Sequence, residues 1–276
     1  MDQLKIHLFG CFRIAHDGRP LDGFGCGKLQ ELFALLLLNS GRWMRRDWIA
    51  AQLWEDIGCA APRKNLRHLL WRLHNALNQA RSGDGGLFET RGADWLACRP
   101  TPATWIDVDV LESACKLLCD RDGMLIPSSV LPMVENAADG CSGALLDGCS
   151  QQWCLVERER LSDVYMTVLD RLMDHCLVLG DYWAGIQHAH SSLHRDPARE
   201  ETFRRLMALS ALHGDRTRAL RHFQRCVKVL EDEFDVRPSR ATVTLSEMIR
   251  DDSITSFPPE ELYRVVSTDR RIAESA

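Results

Sequence analysis

The chain has no run of apolar residues near the roughly 20 a membrane helix needs. Its start, MDQLKIHLFG, lacks the basic and long apolar regions of a secretory signal, so a cytoplasmic protein is expected. No C-x-x-C pair occurs among the 11 cysteines, which are scattered from Cys11 to Cys226. Cys115 and Cys119 can share a helix face, and Cys149 lies near Cys154, but neither spacing marks a disulfide framework or a metal cluster. Reduced, mostly buried thiols are expected. A phosphate-binding loop is missing as well. In GFGCGK at 23–28, only three residues separate Gly23 from Gly27, and Leu29 stands where a Ser or Thr would hold magnesium. There is no G-x-S-x-G elbow. His188 and His190 fall on different sides of a helix, and the His188/Cys176 and His213/His222 neighbourhoods have no metal-ligand spacing. Neither an enzyme nor a cofactor is expected.

One further absence is local. No Asp or Glu occurs between Asp56 and Asp84, whereas Arg63, Lys64, Arg67, Arg72 and Arg81 do. The 276-residue chain has room for roughly two domains at ~150 residues each. Its net charge of −5 hides an asymmetry: residues 1–100 sum to +4 and the remainder to −9. A basic head on an acidic body suggests that the head alone meets a polyanion.

Along the chain, LKIHLFGCFRI at 4–14 alternates well enough to read as a strand, and HDGRPLDG after it is turn-rich. Lys28 to Asn39 is apolar nearly all round, as in a helix buried inside a small domain, and Ser40-Gly41 ends it. Asp47 reads as the N-cap of a short helix, WIAAQLW, packed through Ile49, Leu53 and Trp54. A third helix runs from about Ala60 to Gln79. The turn cluster Ser82 to Gly86 and the hairpin LFETRGADWLACR follow. Strands, three helices and a terminal hairpin predict a winged helix-turn-helix of the OmpR type over residues 1–100. Residues 101–106, TPATWI, read as a junction to an all-α region at 105–250, and residues 251–276 as a loosely held tail. The fold class is therefore mainly α.

The all-α region repeats. Gly180-Asp181 recurs as Gly214-Asp215, and at the same offset of 34 Arg171 matches Arg205, Leu172 Leu206, Met173 Met207, Ile186 Leu220 and Leu193 Val227. Asp196-Pro197 closes the first unit. A 34-residue helix–turn–helix period is the tetratricopeptide signature. Each unit leaves an apolar face for a neighbour to cover.

In the third helix, APRKNLRHLLWRLHNALNQ, successive residues turn by 100°. Leu66, Leu69, Leu70, Leu73 and Leu77 then form a core stripe, and Lys64, Arg67, His68, Trp71, Arg72 and Asn75 occupy the opposite arc. An ordinary solvated face mixes signs so that charges pair. This one carries cations, amide and imidazole donors, and an aromatic, the groups that bridge phosphates and read base edges. Trp71 suits stacking on a sugar or packing on a neighbour equally. Arg42, Arg45 and Arg46 in the preceding turn, and Arg91 in the hairpin, are the candidate backbone anchors.

The arrangement resembles the Streptomyces antibiotic regulatory protein type of activator, in which a winged helix precedes a bacterial transcriptional activator domain. The resemblance rests on LFGCFRIAHDGRPL, LLLLNSGRWMRRDWIAAQLWED and NLRHLLWRLHNAL. In the second half it rests on GALLDGCSQQWCLVERERL, on the segment from LGDYWAG to RALRHFQ, and on EDEFDVRPS. It covers about residues 4–250. The wing turn Gly92-Ala93-Asp94-Trp95 and the start Gly27-Lys28-Leu29 depart from the usual pattern. The resemblance implies binding to double-stranded promoter DNA, recruitment of RNA polymerase and no catalysis; a homodimer and no membrane partner are also expected. Two other readings stay open. The helical half can serve as a protein-binding scaffold with DNA contact secondary, or as an effector sensor with Trp153, Tyr182 and Trp183 lining a pocket. Arg158, Glu159 and Arg160 are expected to make contacts within their own domain.

Overall fold

A computed structural model describes residues 3–21, 24, 27–54, 61–80, 87–119, 124–141, 143–258, 262–263 and 265–266. Ser82 to Gly86, expected as a turn, lie outside the described residues, as does Ala60. The chain divides into two compact units: residues 1–113 with 139–163, and residues 114–138 with 164–276.

The first unit is a winged helix-turn-helix behind an N-terminal sheet. The stretch expected as one strand is two, β1 (Leu4–His7) and β2 (Arg13–His16), paired antiparallel with Ile6 opposite Ile14. The chain reverses through the intervening loop, where Gly10 has φ 68°. The turn at Asp17-Gly18 leads into β3 (Arg19–Pro20). Helix α1 (Lys28–Leu38) buries Leu29 and every position from Leu32 to Leu37, which is why its sequence is apolar all round. Phe33 on this helix sits 5.7 Å from Phe24, 6.3 Å from Phe12 and 6.2 Å from Phe88 between ring centroids, giving the core an aromatic centre.

Next come β4 (Met44–Arg45), α2 (Arg46–Trp54) and α3 (Pro62–Ala80). Asp47 does not cap α2 as expected. The helix begins one residue earlier, at Arg46, whose N–H donates to the Asp94 carbonyl at 2.8 Å. Ile49 and Leu53 are buried and Trp54 half-buried. The hairpin is β5 (Phe88–Arg91) with β6 (Trp95–Cys98), and β4 joins it as a third strand in the order β4-β6-β5.

Residues 101–106 are no loose junction. Thr104–Ile106 form β7, parallel to β1, so the first sheet runs β3-β2-β1-β7. Helix α4 (Asp107–Cys119) follows directly. Its first carboxylate, Asp107, is buried and accepts from Leu8 N at 2.7 Å, Phe9 N at 3.0 Å and Val108 N at 2.8 Å. Burial pushes this carboxyl above its ordinary value against the pull of those three donors. Further on, α5 (Leu131–Gly140) leads to residues 143–149, which are sewn onto the β1 end: Gly10 N donates to Ala144 O, Leu146 N to Leu8 O and Asp147 N to Gly10 O. Arg158 holds this segment by donating to the carbonyls of Leu145, Leu146 and Cys149 at 2.9–3.2 Å. Arg160 pairs with Glu112 and Glu157, so both arginines act within their own unit, as expected.

The second unit is the tetratricopeptide-like repeat. Helix α6 (Gln152–Leu179) contributes its residues from Val164, then α7 (Tyr182–Arg195), α8 (Glu200–Leu212), α9 (Arg216–Phe234) and α10 (Arg240–Arg250) follow. The 34-residue period extends to the caps. Asp181 accepts from Ala184 N and Asp215 from Arg218 N, each just after a glycine in the left-handed region, Gly180 at φ 81° and Gly214 at φ 91°. Small residues recur at the same offset where helices approach: a Cβ on Gly185 would stand 2.8 Å from Leu209, and its counterpart Ala219 is fully buried.

A buried ionic cluster ties the repeat together. Arg199 bridges both Asp170 oxygens at 2.6 and 2.8 Å, and Arg205 donates to Asp174 at 2.8 Å. Burial opposes the charge on Arg205, but Asp174 and Asp170 outweigh it and raise its pKa. The described residues of the tail, a stretch expected to be loosely held, are anchored at three positions. Ile254, Leu262 and Val266 are buried, and the fully buried Arg204 donates to Val266 O at 3.0 Å.

Candidate nucleic-acid interface

Helix α3 opens with Pro62 in its first turn, where a missing N–H costs nothing. The leucine stripe faces inward, with Leu66, Leu69, Leu73 and Leu77 buried and Leu70 half-buried. Each buried leucine contributes about 1.5–3 kcal/mol, enough to fix which way the helix faces. The opposite face is therefore set by the core. Lys64, Arg67, His68, Trp71 and Arg72 are exposed and Asn75 is half-buried, so all six lie on the arc expected from periodicity. None of the ion pairs among the described residues involves Lys64, Arg67 or Arg72. His68 and Trp71, one turn apart, lie nearly parallel at 6.1 Å, and Trp71 remains 61% exposed. A large aromatic held open by a neighbouring ring makes a flat platform on a cationic face.

The flanking arginines differ from one another. Arg42 is exposed in the turn after α1. Arg45 is exposed on β4, 3.6 Å from Asp47, and it pairs in register with Trp95 of the wing. Arg46 is half-buried, and its Nε is enclosed without a hydrogen-bond partner, so only part of its guanidinium reaches outward. Arg91 is exposed at the end of β5, opposite Trp95.

Sequence reasoning counted Arg63 among the one-signed charges and missed its partners. Its guanidinium grips both oxygens of Asp47 on α2 and donates to Asp94 in the wing turn at 3.1 Å. The hydrogen bond from Arg63 holds the Asp47 carboxyl below the usual range. One cation thus joins α2, α3 and the wing, and fixes the angle at which the α3 face and the hairpin are presented together. Both carboxylates lie outside the acid-free window 57–83, so neither shows in its local composition. Trp48 and Trp95, 42% and 41% exposed, add further aromatic surface to this unit that the pattern did not single out.

Among the described residues no group of three or more His, Cys, Asp or Glu is arranged to hold a metal. No described helix is long and apolar enough to cross a membrane. Trp153 is buried and Trp183 is 55% exposed, and neither they nor Tyr182 line the cavity beside Phe12 and Phe24 or the one beside Ile126 and His175. Cys115 and Cys119 do share a helix face, with sulfurs 3.9 Å apart.

Residues 122–250 match the bacterial transcriptional activator domain family. The match runs from α5 to α10 and takes in the residues related by the 34-residue offset. No curated protein matches the chain in sequence. Among solved structures, Mycobacterium tuberculosis EmbR in complex with a low affinity phosphopeptide is similar in fold. The TM-score is 0.73 at 16% identity, over 99% of this chain and 72% of that chain. A likeness at that identity is one of architecture, and it extends across the winged helix as well as the activator domain.

Proposed function

We propose that this chain is a transcription regulator of the activator type, similar to the Streptomyces antibiotic regulatory proteins, which binds double-stranded promoter DNA through α3 and the wing. The observation that carries this reading is the outward face of α3: Lys64, Arg67, His68, Trp71, Arg72 and Asn75 on one arc, with no acid of its own helix among them. The major groove admits one helix, and a face of this chemistry bonds both phosphate oxygens and base edges there. Arg42, Arg45 and Arg91 contact the backbone alongside, and Arg46 contributes a smaller share. Arg63, already satisfied by Asp47 and Asp94, positions the helix and does not touch DNA. The activator domain, acidic and built of stacked helix pairs, supplies the surface that recruits RNA polymerase or pairs two protomers.

The test is a salt titration of full-length protein on its own upstream DNA, beside Arg67→Ala and Arg72→Ala variants. Loss of about 1–3 kcal/mol for a base-reading arginine is expected, with relaxed sequence preference. A phosphate-binding arginine instead weakens all sequences alike and lowers the salt slope by about one. Absence of binding to that DNA and to a random pool would overturn the reading and favour a protein-binding scaffold.

A further inference from the structure

Beside β2 and α1 in the first unit lies a cavity of about 680 Å³, lined by Phe12, Ile14, Leu21, Phe24 and Leu146 and by two cysteines, Cys11 and Cys149. Cys149 stands just before α6, half-buried, at the end of the segment that Arg158 holds. Its sulfur accepts from the Gln151 N–H and from the thiol of Cys154, which is fully buried in the first turn of α6. The Arg158 guanidinium lies 3.8 Å from the Cys154 sulfur and donates to the Cys149 carbonyl at 3.1 Å. One cysteine lining a cavity, a second enclosed in the first turn of the next helix, and a guanidinium that reaches both the Cys149 carbonyl and the Cys154 sulfur make an arrangement that packing alone does not require.

We propose that Cys149 and Cys154 form a peroxide-reactive pair, in which Cys149 is the site of oxidation and Cys154 closes a disulfide with it. In the first step the Cys149 thiolate attacks one oxygen of hydrogen peroxide. A sulfur–oxygen bond forms, the oxygen–oxygen bond breaks, and hydroxide leaves to be protonated by solvent. Sulfur is oxidised to the sulfenic acid and the peroxide is reduced. In the second step the Cys154 sulfur attacks the Cys149 sulfur. The disulfide forms, the sulfur–oxygen bond breaks, and the hydroxyl leaves as water with the Cys154 proton.

The electrostatics suit both steps. The Cys154 hydrogen bond lowers the Cys149 thiol to about 7 against its burial, helped by the Gln151 N–H and Arg158 and opposed by Glu31. Glu31 of α1 and Asp147, the acid on this segment, both line the cavity. That hydrogen bond and burial together raise Cys154, and Arg158 lowers it. Oxidation of Cys149 removes the thiolate that held the Cys154 proton, leaving Arg158 to favour the attacking form.

The experiment uses reduced full-length protein treated with hydrogen peroxide, followed by alkylation of remaining thiols and peptide mass mapping. The peptide spanning both cysteines is expected unalkylated and lighter by two hydrogens. In Cys154→Ser, Cys149 is expected to persist as a sulfenic acid captured by a 1,3-diketone. Without any substitution, the alkylation rate of Cys149 is expected to rise with a midpoint near pH 7. The proposal is overturned if both cysteines stay alkylatable while other thiols oxidise, if no sulfenic acid is captured in Cys154→Ser, or if Cys149 titrates near the ordinary thiol value of about 8.5.

Discussion

Two helices in this molecule set arginines among leucines, and the arginines meet opposite fates. In α3, NLRHLLWRL, Arg67 and Arg72 point into solvent. In α8, TFRRLMAL, Arg204 and Arg205 are buried. Local sequence barely separates the two. The difference lies in what surrounds them: Glu200 and Glu201 sit one turn before the α8 pair, and α6 brings Asp170 and Asp174 onto it. A charge leaves water only when partners replace its hydration. Among the described cations of α3, Arg63 is the one with ion-pair partners, Asp94 and the Asp47 that Arg45 also approaches. The α3 face leaves Lys64, Arg67 and Arg72 in solvent, while α8 has consumed its own charge.

Five substitutions, taken as three tests, probe that contrast. The largest effect is expected from Arg205→Ala, which leaves Asp174 and Asp170 enclosed with less compensation and should destabilise the protein by about 3–5 kcal/mol in urea unfolding. Arg67→Ala, in the same assay, should leave the unfolding midpoint where it was. Equal, small losses for both would erase the distinction between an internal and an external cation. Next come Asp181→Ala and Asp215→Ala, each expected to cost about 1 kcal/mol because each removes the same cap at the same repeat position. A clear inequality would show that the repeat is symmetric in backbone only. The smallest effect concerns His222, which burial, then His190, Arg218 and Arg225, lower to about 4. The fold favours its neutral form, so its contribution is complete above pH 6.5 and fades as pH falls toward 4. His222→Gln should flatten the decline of stability across that window. An unchanged slope would assign the decline to other groups.

How much of this was legible in the sequence depends on distance along the chain. The α3 face was readable because periodicity and the lack of nearby acids are both local. The 34-residue period was readable down to Gly180-Asp181 and Gly214-Asp215, which turned out to be paired caps. What stayed hidden was non-local. Parallel pairing of residues 4–6 with 104–106 leaves no trace in TPATWI, which reads as a linker. Arg63 finds its acids 16 residues earlier and 31 later. The division of 4–14 into two strands falls at Gly10, beside partners from Asp107 and residues 144–147. The tail looked loose because Ile254, Leu262 and Val266 are too widely spaced to advertise a common face.

The Asp107 knot bears on how such a protein can be taken apart. Its carboxylate serves the two N–H groups at the end of β1 from the first turn of a helix that sequence would assign to the second domain. A fragment ending at residue 100 would forfeit that acceptor, the β7 strand beside β1 and the 143–149 clasp together. A shuffled gene that carried the winged helix as a cassette would have to bring those distant pieces with it, so the transferable piece is longer than the winged helix itself.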